Sequence, residues 1–354
     1  MKKNIILLIM LLVSVFVISQ NKNQVSTLLE EVVAKKTVVG VAAGYSINGK
    51  TIQQSAAGYA NKKAGVKFTL DTPVRMGSIA KPMTAIAVMQ LVELDLINLD
   101  VPIQTYIPDY PKTQITTRHL LSHTSGIPGY KDGNESNTTI SYPSLYDALD
   151  LFKNRNLLFE PGTQYSYTTY GYTVLGVIIE KVSGITFEEY MQKNIWDKAK
   201  MTKTGVDKFG VKVNNKSELY NRNNGKGKAK IAKENNLSNR IPAGGFYTTI
   251  EDMIKFGNSI LNNTFIKEST LELMRQHHSL EKENNAYGFG WFLYGKKPKE
   301  GTIIGHPGAQ IGSTSFLFIV PSKKAVSVVL ANTSRAQSDV DPIANKLLNM
   351  SLMN

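Results

Sequence analysis

Apolar residues at Val25, Leu28, Leu29, Val32 and Val33 recur at helical spacing and predict an amphipathic helix over Val25–Lys35. Two runs rich in Val, Ala and Tyr, Val38–Ser46 and Thr51–Tyr59, flank an Asn48-Gly49 dipeptide. That dipeptide tolerates the positive φ of a tight turn, so the runs read as a β-hairpin. Ser78–Leu94 reads as a helix with Ile79, Met83, Ile86, Met89 and Leu91 among its apolar positions. Residues 95–240 mix short helical patterns with loops rich in Pro, Gly and Asn. Strands return at Tyr287–Tyr294, Thr302–Gly305, Ser313–Val320 and Ala325–Ala331. Pro342–Leu352 closes as a helix with Pro342 in its first turn. Strands at both ends around a helical middle predict one α/β (α+β) domain. Its antiparallel sheet would be flanked by N- and C-terminal helices and interrupted by a mostly helical insertion. The α/β part takes residues 20–94 and 241–354, and the insertion residues 95–240. No internal repeat is visible.

The ends and the charge refine this picture. Lys2 and Lys3 precede an apolar run from Ile5 to Ile18. Such a run of about 14 residues is short for a bilayer span and fits a secretory signal. Val17 and Ser19 place small residues before a cut ahead of Gln20, giving a signal over residues 1–19. The chain is therefore expected to be exported, periplasmic or secreted, with an uncleaved membrane tether as the alternative. The sequence has 354 residues, 42% hydrophobic and 19% charged, and no cysteine. This is a globular composition, and it excludes thiolate nucleophiles, cysteine-ligated metals and a lipid-modified N-terminal Cys. Lys and Arg total 41 against 28 Asp and Glu, a formal charge of +13. Seven of those cations (Lys212, Lys216, Arg222, Lys226, Lys228, Lys230 and Lys233) lie between Val211 and Glu234 beside a single acid, Glu218. The stretch reads as a solvated, mobile loop, or else as a contact for an anionic envelope polymer. Export removes nucleic acid as a partner.

Candidate chemistry begins at Ser78-Ile79-Ala80-Lys81. Ser and Lys three apart at a helix start share a face, so the amine can reach the hydroxyl. Pro82 fits only near a helix N-terminus, where unsatisfied N–H groups and the positive dipole end would favour an oxyanion. A lysine whose pKa is lowered by burial could take the serine proton. Ser19…Lys22 and Ser279…Lys282 share the spacing, so context must decide.

That context is a set of landmarks in order. Val74-Arg-Met-Gly-Ser-Ile-Ala-Lys-Pro-Met-Thr-Ala resembles the nucleophile segment of the serine β-lactamase and penicillin-binding-protein superfamily, in its class C and D-alanyl-D-alanine carboxypeptidase branch. Leu120-Leu-Ser-His-Thr-Ser-Gly, Phe159-Glu-Pro-Gly-Thr-Gln-Tyr-Ser-Tyr-Thr-Thr-Tyr-Gly-Tyr172, Ala243–Phe256 and Gly305-His-Pro-Gly-Ala-Gln-Ile-Gly312 are similar to further landmarks of that branch. The resemblance spans roughly residues 25–350 and implies a β-lactamase/transpeptidase-like fold. It implies that Ser78 attacks a carbonyl and becomes acylated, and that Lys81 and Tyr167 share acid/base duty. An ammonium beside the phenol would bias Tyr167 toward phenolate. The N–H groups of Ser78 and Ala309 would form an oxyanion hole. His306, on a strand edge where many relatives have Lys, would line the substrate-carboxylate side. Pro307 is acceptable on that edge, and Gly308 would leave room for a substrate backbone. Thr169 stands where the family usually has Asn. A hydroxyl cannot both donate and accept as an amide does, which shifts weight toward esters or unusual peptides. Ile195–Thr204 keeps only Met201 and Thr204 of another landmark.

Other constellations fall away. His119 and His123 are four apart but lack the metalloprotease Glu, and His123 sits inside the His-Thr-Ser-Gly landmark as a hydrogen-bonding residue. Adjacent His277 and His278 diverge on a helix. Of Tyr165, Tyr167, Tyr170 and Tyr172, one is expected to be chemical and the rest packing. Gly225-Lys-Gly-Lys is too short for a phosphate loop. No metal or cofactor is expected. The resemblance implies a serine hydrolase acting on D-alanyl peptides or other peptidoglycan-related amides, β-lactams or small esters. The competing reading is a catalytically weak envelope-binding protein of the same fold that uses the basic loop.

Overall fold

The computed structural model describes residues 24–280, 286–295 and 302–353. The expected signal, and Ser19, Lys22 and Lys282 of the other serine–lysine pairs, lie outside the described residues. Among the described residues no helix is long and apolar enough to cross a membrane.

Helix α1 covers residues 24–34. β1 (Gly40–Ile47) and β2 (Lys50–Asn61) form the expected hairpin, with Asn48 and Gly49 at φ +50° and +76°. The short β3 (Val66–Lys67) follows. β4 (Val74–Arg75) leads through a 3-10 turn, Gly77–Ile79, into helix α2 (Ala80–Glu93). Helix α3 (Thr117–Leu121) and the Thr169–Ser183 helix belong to the insertion. The remaining strands are β5 (Gly205–Val206), β6 (Tyr220–Asn223), β7 (Lys226–Ile231), β8 (Phe246–Thr248), β9 (Phe292–Tyr294), β10 (Ile303–Gln310), β11 (Ser313–Val320), β12 (Ala325–Ala331) and β13 (Thr333–Ser334).

The main sheet runs β3-β2-β1-β12-β11-β10-β9, antiparallel throughout. Its central strands are covered on both faces, which is why GVAAGYSI and AVSVVLA read as near-continuous apolar runs rather than alternating ones. On one face, Val25, Leu29 and Val32 of α1 join Val340, Ile343 and Leu347 of the Gln337–Met353 helix. On the other, the Ile250–Leu261 helix packs against β1 and β12, and α2, buried from Ala80 to Leu91, packs against the Thr169–Ser183 helix in the same core.

Five expectations change. β9 is limited to Phe292–Tyr294, with a lone bridge from Tyr287 to Phe292. β10 continues to Gln310 instead of stopping at Gly305, because β11 pairs with it along its length. β9 pairs only with Ile303–Gly305, so the outer edge beyond is unpartnered and tolerates Pro307. The last helix starts at Gln337, which puts Pro342 inside it rather than in its first turn. Finally, the insertion is helical only to Trp196 and then turns to strands, and the basic stretch is not a loose loop. β6 and β7 pair across Asn224 and Gly225, at φ +47° and +72°, and β6 runs parallel to β13. Arg222 is buried against Asp339 at 2.6 Å, and Lys216 pairs with buried Asp207.

The segment before Ser78 is tightly held. Arg75 is 1% exposed, with Nε 2.5 Å from Asp207 Oδ2, Nη1 2.6 Å from Asn235 Oδ1 and a further bond to the Ile311 carbonyl. A Cβ at Gly77 (φ +57°) would lie 2.7 Å from Ala309 N, and one at Gly308 would lie 2.1 Å from Met76 O and Ser315 Oγ. Two glycines thus let the Gly77–Ile79 turn press against β10. The space Gly308 leaves is filled by Met76 and Ser315, not open to a substrate as the sequence suggested. Asp207→Ala removes the close partner of the buried Arg75 guanidinium, leaving Glu234 at 3.8 Å as its counter-charge, and should lower stability by about 3–5 kcal/mol. Urea unfolding checks this, and a loss below about 1 kcal/mol would contradict the role given to Asp207.

Candidate active site

Ser78 sits half-buried in the Gly77–Ile79 turn, and Lys81 lies in the first turn of α2. Pro82 follows at the third helical position, where no intrahelical N–H bond is lost. The Lys81 amine is 3.1 Å from Ser78 Oγ and donates to the Ala243 carbonyl at 2.9 Å. Lys81 is fully buried. Burial, and secondly the charge of Arg240, lower its pKa from 10.5 to about 7. The amine is therefore substantially neutral near pH 7 and able to accept a proton.

Tyr167 completes the group, its ring centroid 4.8 Å from Lys81 Nζ and its hydroxyl bonded with Ser78. The residue is 36% exposed through its ring, yet its hydroxyl is deep among neighbours. Burial holds the phenol pKa well above 10, outweighing the Ser78 hydrogen bond. The expected phenolate is thus corrected, since an amine that is itself largely neutral stabilises little negative charge. Tyr167 stays protonated. Thr169 opens the Thr169–Ser183 helix, and Ala309 is exposed on β10; both line the cleft that holds Ser78.

His306 does not. It is 1% exposed and faces Tyr287 and Phe292 behind the strand. Its Nδ1 donates to the Pro307 carbonyl at 2.6 Å, so Nε2, 3.2 Å from the Tyr287 hydroxyl, must accept. Burial first, then Lys81, push its pKa down to about 3. A neutral, enclosed imidazole offers no charge to a substrate carboxylate, which corrects the role expected for His306.

His123 turns out to position the tyrosine. It adopts φ +60°, rare for a residue with a side chain. Its Nδ1 accepts from Thr168 N–H at 3.2 Å, its carbonyl accepts from Ser166 N–H at 2.9 Å, and its ring lies 4.3 Å from that of Tyr167. His119 caps α3 through its ring nitrogen to Thr116 N–H, and His278 bonds Leu273 O. Among the described residues no group of three His, Asp or Glu could hold a metal. Tyr170 and Tyr172 are fully buried, bonded to Glu135 and to the Leu121 carbonyl.

Ser78, Tyr130, Thr169, Arg240, Ala243 and Ala309 share one cleft of about 690 Å³. Sequence reasoning missed Tyr130, Arg240 and the Ala243 carbonyl. The carbonyl leaves no trace in residue type. Arg240 did have a signal, lying three residues before the Ala243–Phe256 landmark.

Comparisons with known proteins agree with this arrangement. A family model described as Beta-lactamase matches residues 25–349. The human mitochondrial serine beta-lactamase-like protein LACTB is 28% identical, over 80% of this chain and 69% of its own length. Penicillin-binding protein 4* of Bacillus subtilis is 25% identical over 88% of this chain and 72% of its own. Among solved structures, a penicillin binding protein from Bacillus halodurans superposes with a TM-score of 0.78 at 26% identity, covering 90% of this chain and 98% of that one. With nearly the whole described fold inside the match, the chain belongs to the Beta-lactamase family, in the serine β-lactamase and penicillin-binding-protein superfamily.

Proposed function

We propose that the protein is a serine hydrolase that forms an acyl-enzyme on Ser78. The observation that carries this is the Lys81 amine, fully buried, 3.1 Å from Ser78 Oγ and with its pKa brought to about 7. In the proposed cycle, neutral Lys81 accepts the Ser78 proton as Oγ attacks a carbonyl carbon. The N–H groups of Ser78 and Ala309 hold the oxyanion at the start of α2. As the tetrahedral intermediate collapses, the bond to the leaving group breaks and a proton passes to it from Lys81 ammonium or from Tyr167. The high phenol pKa suits Tyr167 to donating rather than abstracting. Water then attacks the ester carbonyl while neutral Lys81 takes one of its protons. As the second tetrahedral intermediate collapses, the bond from the acyl carbon to Oγ breaks and that proton returns to Ser78 Oγ, releasing the acid.

Membership of the family supports hydrolysis as the reaction. For the substrate, Thr169 in place of an amide favours esters over standard β-lactams and D-alanyl amides. Export, proposed from Lys2-Lys3 and the apolar run that follows, would put the enzyme among envelope substrates. The envelope-binding alternative lacks a use for a lysine with so displaced a pKa.

Two results test the reading. Incubated with a fluorescent penicillin and an activated aryl ester, the protein should gain a covalent adduct by intact mass with at least one reagent, and Ser78→Ala should gain none. Absence of both adduct and turnover sinks the hydrolase; an adduct that survives in Ser78→Ala sinks the assignment of the nucleophile. Lys81→Ala should slow acylation by about 10²–10⁴-fold.

The pH profile supplies the second. Only neutral Lys81 can take the proton, so kcat/KM should be low in acid and rise to a plateau through an apparent pKa of about 7. An ascending limb near pH 10 would show that the amine titrates as an ordinary lysine.

A further inference from the structure

The cleft that begins at Ser78 ends on the β6–β7 hairpin. Lys230 of β7, Lys233 and Arg335 line its far part, and Arg240 lines the part beside Ser78. None of the residues described as lining it is Asp or Glu. Four cations and no lining acid make the cleft a positive field, and its low-dielectric walls concentrate that field.

Arg240 is the decisive member. Three arginines are buried in the described residues. Arg75 is paired with Asp207, and Arg222 with Asp339. Arg240, 2% exposed, has no carboxylate within ion-pairing distance. Its guanidinium lies over the Tyr130 ring at 5.0 Å, Nη2 donates to the Ser136 carbonyl, and Nε is buried without a partner. A buried cation that lacks a counter-ion is unfavourable unless something else completes it. A planar fork with spare donors beside a substrate cleft matches a carboxylate. His306 cannot take that role, since it is neutral and enclosed.

We propose that the cleft is an anion-selective substrate site. Arg240 receives a carboxylate of the acyl substrate close to the reacting carbonyl. Lys230, Lys233 and Arg335 hold further negative charge on a longer substrate. The basic hairpin is then the distal wall of the active-site cleft, and the anion it meets is the substrate itself. This rests on the acyl-enzyme reading above and adds the charge of the substrate to it.

The test compares the 4-nitrophenyl monoester of glutaric acid with its methyl-capped twin, equal in shape and reactive bond but neutral. The wild-type protein should prefer the anionic ester by roughly tenfold or more in kcat/KM, and the preference should shrink as salt is raised. Arg240→Gln should bring the ratio toward one, chiefly through KM for the anionic ester. Arg240→Lys, which keeps charge and loses the fork, should give an intermediate ratio and covers the case in which Arg240→Gln does not fold. Arg240 also acts on the Lys81 pKa, so each variant is compared on its own high-pH plateau, where Lys81 is neutral with either ester bound. Joint replacement of Lys230 and Lys233 by Gln should lower the preference for a longer acyl ester carrying two carboxylates more than for glutarate. If the methyl-capped ester acylates Ser78 and the carboxylate confers no advantage, the anion site is wrong and the hydrolase stands. If neither ester reacts at Ser78, the hydrolase itself falls. A preference that persists in every variant would place the anion elsewhere.

Discussion

A lysine amine kept out of water, beneath a serine hydroxyl, is the constraint on which the rest of the structure turns. Folding lowers the Lys81 pKa from 10.5 to about 7, so between those values the folded chain binds fewer protons than the unfolded one. Stability therefore falls as pH drops from 10.5 toward 7, and below 7 the deficit is complete, on the order of 5 kcal/mol. That is a large fraction of the net stability of an ordinary domain. The surrounding architecture follows from the need to carry it. α2 is buried along most of its length, sheet strands are covered on both faces, and the last residues before the nucleophile are anchored through Arg75.

The geometry is set by backbones meeting at close range. Gly77 and Gly308 let the Gly77–Ile79 turn and β10 approach until a methyl group would collide with the opposing chain. Beyond Gly305 the outer edge of β10 has no strand partner among the described residues, and Ala309 on it lines the cleft that holds Ser78. Tyr167 is delivered from the other side by a loop whose hydrogen bonds go to His123, itself held in a left-handed conformation. Three separate segments converge on Ser78, and each is fixed by contacts that do not involve the hydroxyl.

How much of this was legible follows from the range of the forces involved. Ser78 and Lys81 are three residues apart, so a local rule brings them together. Asn48-Gly49 announced its hairpin by the same local logic. Asn224-Gly225 carried an identical signal, but the lysines around it suggested solvent, and only the pairing of β6 with β13 and of Arg222 with Asp339 gives those charges a place. Protonation states were not legible. Tyr167 and His306 owe theirs to burial among Tyr172, Tyr287 and Phe292, where the fold brings residues 167–172 and 287–306, two distant stretches of sequence, into one aromatic group. The Ala243 carbonyl, which holds the lysine, belongs to no residue type at all.

Charge and catalysis meet at Arg240. Its guanidinium is one of the two causes that keep Lys81 from being an ordinary ammonium, and it lies in the same cleft as Ser78. Electrostatic coupling is mutual: whatever neutralises Arg240 also weakens its repulsion of the Lys81 proton. A carboxylate seated on Arg240 would therefore make the neighbouring amine a stronger base at the moment a reacting carbonyl is in place. An uncharged ligand leaves the amine as it is in the empty cleft. The excess positive charge noticed along the chain then bears on reactivity as well as on attraction, because through Arg240 part of it sets the proton affinity of the base itself.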